Sequence, residues 1–367
     1  MKPIIVLARE IAVLNSIKLA GLLSLAACAS LAALAQSYAV GADVSFLAKA
    51  EQDGMVFKEA GQPRDALAIL RDHHYNWVRL RIFHDPSSSA DKLPNDLSYT
   101  LALARRAKKM GFHLLLDLHY SDSWADPGKQ PIPASWASLD HAQLVDQVFT
   151  YTRDVVAAFA RQGAMPEMVQ VGNEITYGML WPDGKLPANW DNFADLVKAG
   201  VKGVEAGRGR RPKPRIMIHI ERSGDYEAAV DFFDKLLARR VTFDVIGLSY
   251  YPFWHGDIAT LRANLDKLAE RYRRPIIVVE TAFNWKPGRM PLKNADFAET
   301  PSGQEAFLRA VDAAVRALPD GLGQGVFWWE PAVEGGLRSR GFFDDQGNVL
   351  PVVSAFENSN PHESSTP

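Results

Sequence analysis

Two apolar runs in this chain end on a carboxylate. Val169 to Gly178 reads VQVGNEITYG and stops abruptly at Asn173-Glu174; Pro275 to Trp285 reads PIIVVETAFNW and stops at Glu280. An ionised carboxylate at the end of a buried run is costly unless it is paired or put to use. Two of them facing each other across one mouth can divide acid–base work. One is held protonated to help an oxygen depart, and the other is held ionised to attack or to activate water. Hydrolysis of a glycosidic bond uses that division. Asn173 beside Glu174 is placed to hydrogen-bond a sugar hydroxyl next to the reacting carbon. A lone glutamate at a strand end is most often a surface or capping residue, so the pair carries the reading, not either member.

The elements that must position the pair are legible as eight short apolar runs. They are GADVSFL from Gly41, WVRLRIF from Trp77, HLLLDLH from His113, MVQVGNE from Met168, RIMIHI from Arg215, FDVIGLSYY from Phe243, PIIVVETA from Pro275 and GVFWWEP from Gly325. Between them lie stretches of helical period. Ser98 to Gly111 has apolar residues at three-and-four spacing and stops on glycine. His141 to Gly163 does the same over a longer span, and Asp257 to Arg274 ends in basic residues, as the helix dipole prefers. A further helix is expected to begin at Ser302, with Glu305 completing a capping box, and to stop at Pro319. Strand and helix alternating eight times predict an α/β fold, a single (β/α)8 TIM barrel. No G-x-G-x-x-G follows the first strand, which argues against a dinucleotide-binding sheet.

Reactive groups in such barrels sit at the C-terminal ends of the strands. Arg79 and Arg81 lie near the second end, Asp117 and His119 at the third, Asn173 and Glu174 at the fourth and His219 near the fifth. Tyr250 and Tyr251 end the sixth, Glu280 the seventh, and Trp328, Trp329 and Glu330 the eighth. Either arginine can hold an adjacent carboxylate ionised, and a tyrosine of the sixth strand can donate to the same group. The loop HYSDSWADPGKQPIPASW, from His119 to Trp136, adds Asp122 and Trp124; its prolines stiffen it. The substrate-binding candidates are therefore Arg79, Arg81, His119, Asp122, Trp124, Asn173, His219, Tyr250, Tyr251 and Trp329. Trp124 and Trp136 are read either as sugar-stacking faces or as hydrophobic plugs. Glu330, before Pro331, is expected to brace the rim, and Glu221 to support. A catalytic metal is not expected: no H-x-H follows the first strand, where Asp43 stands alone, and no bridging lysine stands on the fourth.

Bulk composition sets the remaining bounds. The chain has 367 residues, 47% hydrophobic, with a formal net charge of -2. That suits a large buried core and gives no sign of a nucleic-acid partner. Nine tryptophans lean toward carbohydrate, since indole faces stack on sugar rings. One cysteine, Cys28, excludes an internal disulfide. The basic run GRGRRPKPR, Gly207 to Arg215, is read as a solvated loop. Lys2, Arg9 and Lys18 precede an apolar stretch, Leu19 to Leu34, and Ala33-Leu34-Ala35 fits a small-x-small cleavage site. The expectation is an exported chain, secreted or periplasmic, with residues 1–35 as signal peptide, 36–358 as catalytic barrel and 359–367 as a disordered polar tail. No membrane segment is expected in the mature chain, and LAAC ending at Cys28 offers lipoprotein anchoring as an alternative.

Taken in order, GADVS, VRLRIFHDP, LLLDLHYSDSWADPGKQPIPASW, VQVGNEITYGMLWPDG, FDVIGLSYYPFW, VVETAFNW and FWWEPA resemble glycoside hydrolase family 53, the arabinogalactan endo-β-1,4-galactanases. The resemblance runs from about Gly41 to Phe356. It implies a retaining cleavage of β-1,4-galactan side chains of pectin, with Glu174 as acid/base and Glu280 as nucleophile. It implies no cofactor and a polysaccharide as partner of a monomer. ETAFNW continues as KPGRM, a departure that reshapes the rim near Glu280. The stretch Glu330 to Gly341 is short where some relatives carry a calcium-binding loop, so calcium is not expected. The alternatives are another retaining endo-glycanase of the same clan, acting on mannan or a β-glucan, and a non-catalytic carbohydrate-binding barrel.

Overall fold

The computed structural model describes residues 38–288, 296–333 and 335–357. The expected signal segment, Cys28, and the 359–367 tail lie outside the described residues. Eight parallel strands close into a barrel: β1 (Ala39–Asp43), β2 (Trp77–Ile82), β3 (His113–Leu118), β4 (Met168–Val171), β5 (Arg215–Ile220), β6 (Val245–Tyr250), β7 (Ile276–Thr281) and β8 (Gly323–Trp329). Closure is made by β1, which pairs with β2 (Asp43 opposite Arg79) and with β8 (Asp43 opposite Trp329). The expected (β/α)8 barrel is the fold found, with β1 and β8 each beginning two residues earlier than the apolar runs suggested.

The lower half of the barrel is a packed apolar plug of Ala39, Trp77, Leu115, Met168, Met217, Val245, Ile277, Val279 and Phe327. Small residues face large ones. A Cβ on Gly41 would lie 2.2 Å from the Phe327 ring, and one on Gly247 would lie 2.6 Å from Met217 Sδ. These glycines are therefore volume devices that let a tapered barrel fill without voids.

Among the described residues, seven helices of seven or more residues cover the barrel: α1 (Ala66–Asp72), α2 (Leu97–Lys109), α3 (His141–Arg161), α4 (Trp190–Gly207), α5 (Tyr226–Ala238), α6 (Ile258–Tyr272) and α7 (Pro301–Arg316). Caps set their starts. Asp96 accepts from Tyr99 N, Asp140 and Gln143 form a capping box, and Asp257 accepts from Thr260 N. The expected capping box at Ser302 is not the one used. Thr300 caps α7 by accepting from Gly303 N, and Pro301 takes the first helical position, where a missing N–H costs nothing. In place of an eighth helix there is one turn, Pro351–Ser354, and the Arg309 guanidinium of α7 donates to Ser354 O and Ala355 O beside it. No helix among the described residues is long and apolar enough to cross a membrane.

Candidate active site

Above the apolar plug the inward positions change character. Asp43, Arg79, Asp117, Gln170, His219 and Ser249 are all buried, one from each of β1 to β6. Arg79 is the hub. Its Nη1 lies 2.8 Å from Asp43 Oδ2 and 2.8 Å from Glu280 Oε1; its Nη2 lies 2.8 Å from Asp117 Oδ2 and 2.9 Å from Asn173 Oδ1. Burial opposes its charge, but Asp117, Glu280 and Asp43 outweigh that and keep the guanidinium protonated. In return Asp117, despite burial, is pulled down to about 2 by Arg79 and His119. Of the two strand-two arginines, Arg79 is thus the one on Glu280. Arg81 instead contacts Glu330 Oε1 at 2.5 Å and lies between the rings of Phe46 and Trp124, 4.2 and 4.5 Å from their centroids. Glu330 braces the rim in this way. Burial raises it to about 8 against the pull of Arg81.

Glu280 reaches the mouth through a β-bulge. Ile277 and Val279 both belong to the barrel plug, so strict alternation would turn the next residue toward the helices. The register with β6 shifts between Leu248 and Ser249, and with β8 between Val278 and Thr281, which re-aims Glu280 inward. Its Oε2 accepts from the Tyr251 hydroxyl at 3.1 Å. Burial and the neighbouring carboxylates hold Tyr251 well above its ordinary value, so it stays a donor.

Glu174 stands on a left-handed turn, φ 47° and ψ 52°, directly after β4. Non-glycine residues are uncommon in that region, and here it lifts the side chain over the mouth. Its Oε1 accepts from Ser249 Oγ at 2.6 Å. Burial pushes its carboxyl well above the usual range and the Glu280 charge adds to this, while Ser249 pulls the other way. Glu280 is also raised by burial, but Arg79 in direct contact opposes it. The surroundings of Glu174 therefore favour its protonated form, and Arg79 in contact favours the ionised form of Glu280.

The cleft holding both glutamates has a volume of about 580 Å³. Of the sequence candidates, Arg79, Arg81, His119, Trp124, Asn173, Glu174, Tyr251, Glu280 and Trp329 line it. Trp124 and Trp329 stand together, ring centroids 6.3 Å apart, as an aromatic wall. His119 and Asn173 are already committed inside the protein. His119 Nε2 is 3.0 Å from Asp117, its Nδ1 accepts from Ala125 N, and Asn173 Nδ2 donates to Ala125 O.

Three candidates do not line the cleft. Tyr250 points outward, where alternation sends it, stacks on Phe307 of α7 and donates to Gly256 O. Asp122 builds its loop, accepting from Asp85 N and Ala134 N with His84 beside it. His219 lies beneath the floor, between Gln170, Asn173 and Ser249. Trp136 is buried against His84 and Tyr151, the plug of the two readings.

Sequence reasoning overlooked Gln170 and Ser249, polar residues at inward positions of apolar strands, which alternation flags once the register is known. It also overlooked Arg222, Trp254 and Arg340 on the rim. Trp254 is 57% exposed, an open indole face at the mouth, and lies within the quoted FDVIGLSYYPFW. No group of three or more His, Cys, Asp or Glu is arranged to hold a metal among the described residues.

Two glutamates in unequal surroundings, lining an open, aromatic-walled cleft at the C-terminal mouth of a (β/α)8 barrel, define a glycoside hydrolase. Comparison with known proteins narrows the class. The model of glycosyl hydrolase family 53 matches residues 39–356, and the chain belongs to that family. An uncharacterized protein of Niallia circulans is 42% identical over 315 residues, 81% of this chain and 84% of the relative. Arabinogalactan endo-β-1,4-galactanase A of Aspergillus niger is 36% identical over 338 residues, 86% of this chain and 93% of the relative. Among solved structures, the Ignisphaera aggregans GH53 catalytic domain superposes with a TM-score of 0.80 at 32% identity, covering 87% of this chain and 95% of that one.

Proposed function

We propose that this protein is a retaining endo-β-1,4-galactanase that cleaves β-1,4-galactan by double displacement. The observation carrying the reading is the unequal pair: Glu280 tied to Arg79 and Tyr251, and Glu174 accepting from Ser249 where burial favours its protonated form. The galactan substrate is supported by the Aspergillus niger galactanase, whose likeness extends over 93% of its length.

In the first step a Glu280 oxygen attacks the anomeric carbon while Glu174 gives its proton to the departing glycosidic oxygen. The carbon–oxygen bond breaks and a galactosyl ester on Glu280 forms. Glu280 suits a nucleophile because both of its oxygens are fixed by donors, which orients it and stabilises its charge. In the second step Glu174, now ionised, takes a proton from water. The hydroxide attacks the same carbon, and Glu280 leaves as a carboxylate. Trp124, Trp329 and Trp254 offer faces for the sugar rings. The site is assembled from one barrel, which fits a monomer. The basic residues before Leu19–Leu34 support export with cleavage after Ala35.

The test is hydrolysis of linear β-1,4-galactan with mannan and cellulose as controls, the first product anomer followed by proton NMR. Galactan cleaved with β-products first, and lost in Glu280→Ala, is the expected result. Activity on a control alone removes the substrate assignment, α-products first remove retention, and binding without turnover makes the chain a carbohydrate-binding barrel.

A further inference from the structure

We propose that Ser249, oriented by His219, is a positioning residue for the general acid: it fixes Glu174 Oε1 and leaves Oε2 to carry the proton to the leaving oxygen. The inference rests on the reading of Glu174 as the acid and names the device that aims it.

Ser249 and His219 are both fully buried, 0% exposed, on the inward faces of β6 and β5. Ser249 Oγ lies 2.6 Å from Glu174 Oε1 and 2.9 Å from His219 Nε2. Donors set the tautomer. His219 Nδ1 faces the Gln170 Nε2 amide at 3.1 Å and the Glu174 backbone N–H at 3.4 Å. Asn173 Oδ1, 3.1 Å from the same nitrogen, accepts from Arg79 and faces the Gln170 amide at 3.2 Å, whereas the Glu174 backbone N–H can only donate. Nδ1 therefore accepts and Nε2 carries the hydrogen. Burial and Arg79 hold the imidazole well below its ordinary value, so it is neutral and has only that one hydrogen. With Nε2–H donating to Ser249 Oγ, the single hydroxyl hydrogen of Ser249 is directed at Glu174 Oε1. Oε1 is thus an acceptor in both protonation states, and the acid proton belongs on Oε2. As Glu174 gives up that proton its charge grows, and the Ser249 bond strengthens with it.

The other charged or titratable groups facing Glu174 are Glu280 from β7, Glu221 after β5, Arg79 from β2 and Tyr251 after β6. None of them replaces Ser249. Glu280 and Glu221 are carboxylates that raise Glu174, Arg79 acts on it through charge, and the Tyr251 hydroxyl is spent on Glu280.

The test compares wild type, Ser249→Ala, Ser249→Thr and Glu174→Gln on galactan and on a 2,4-dinitrophenyl β-galactobioside, whose leaving group needs no proton. Ser249→Ala is expected to lower kcat on galactan about 10- to 100-fold with little change in KM, the range of one lost hydrogen bond to a charged group. Release of dinitrophenolate should stay near the wild-type rate in single turnover, and this also shows that the variant is folded. The basic limb of kcat/KM on galactan should move to higher pH, because the bond removed favours the ionised form of Glu174. Ser249→Thr, which keeps the hydroxyl, should restore both the rate and the limb. Equal losses on the two substrates, an unmoved limb, or unimpaired galactan cleavage in Ser249→Ala each overturn the proposal. Glu174→Gln separates the two claims. If it cleaves neither substrate, the reading of Glu174 as acid fails; if it spares only the dinitrophenyl substrate while Ser249→Ala behaves as wild type, the Ser249 proposal alone fails.

Discussion

Arg79 Nη1 stands 2.8 Å from Glu280 Oε1 and 2.8 Å from Asp43 Oδ2, so one buried nitrogen ties the seventh strand to the first. The same guanidinium serves fold and site. Truncating it strips Glu280 of its ion-pair partner and leaves the buried Asp43 with Arg81 at 3.5 Å and the buried Asp117 with His119 at 3.0 Å. Arg79→Met is therefore expected to lose about 3–5 kcal/mol of stability, the usual penalty for breaking a buried pair from one side. Arg79→Lys keeps the charge but not the fork, and one ammonium cannot reach all of these partners. It is expected to fold and to lose about 100-fold or more in kcat. Thermal melting beside galactanase assays distinguishes the two. A lysine variant with wild-type kcat would show that Arg79 matters only to the fold.

Small-anion rescue reads the two glutamates separately. With Glu280→Gly on a dinitrophenyl β-galactobioside, azide is expected to fill the vacated space and attack directly, giving an α-galactosyl azide by a single inversion. With Glu174→Ala the covalent step still proceeds on that activated substrate, and azide then opens the Glu280 ester to give a β-azide. Product anomers from proton NMR check this. The same anomer from both variants would mean that the roles are misassigned.

The fold was legible because each β/α unit is locally consistent. Apolar runs of strand length alternate with amphipathic stretches, and aspartates stand where helices need caps. The site was legible only in outline. Strand ends name the residues near the mouth but not the way they face: Tyr250 and Tyr251 are neighbours, and alternation sends one to the helices and the other to Glu280. The bulge that turns Glu280 inward has no signature in PIIVVETA, since it arises from the registers with β6 and β8. Ser249 and Gln170 were hidden for the complementary reason. Each is one polar residue in an apolar run and becomes conspicuous only when the inward face is known. At α7 the Ser302–Glu305 pattern competes with Thr300-Pro301, which is the stronger start because proline at the first helical position fixes where the helix begins.

The pH profile follows from the same pair. With the proposed roles, cleavage needs Glu280 ionised and Glu174 protonated, so kcat/KM should be bell-shaped. Its basic limb belongs to Glu174, which burial and Glu280 place well above the ordinary carboxylate range. Neutralising Glu280 removes that second cause, so in Glu280→Gln the Glu174 carboxyl should titrate at lower pH than in wild type. Carboxyl-edited NMR of labelled glutamate follows this directly. A Glu174 titration unchanged by the substitution would mean that the two carboxylates do not sense each other.

Trp124 rests on Arg81, 4.5 Å from ring centroid to guanidinium carbon, and joins Trp329 in the wall of the cleft. Trp124→Ala removes one of the proposed sugar faces and half of the aromatic sandwich around Arg81. An open stacking contact of this kind is worth about 1–2 kcal/mol, so KM for galactan is expected to rise about 5- to 30-fold with a smaller fall in kcat. Trp124→Phe should recover most of the affinity. A kcat loss with KM unchanged would make Trp124 a part of the chemistry and not of the binding wall.

Acid stability should register Asp117. Its carboxyl is fully buried between Arg79 and His119, which hold it at about 2 against an ordinary value of 3.8. A depressed folded value means that the unfolded chain takes up the proton first. The stabilisation is therefore complete above about pH 4 and is lost as pH falls toward 2; the gap corresponds to about 2 kcal/mol. Asp117→Asn should be less stable than wild type at pH 6, since Arg79 loses a counter-charge, but its stability should fall less steeply between pH 4 and 2. Urea denaturation at each pH measures both. Parallel pH dependences for the two proteins would show that Asp117 is not the group whose protonation drives the loss.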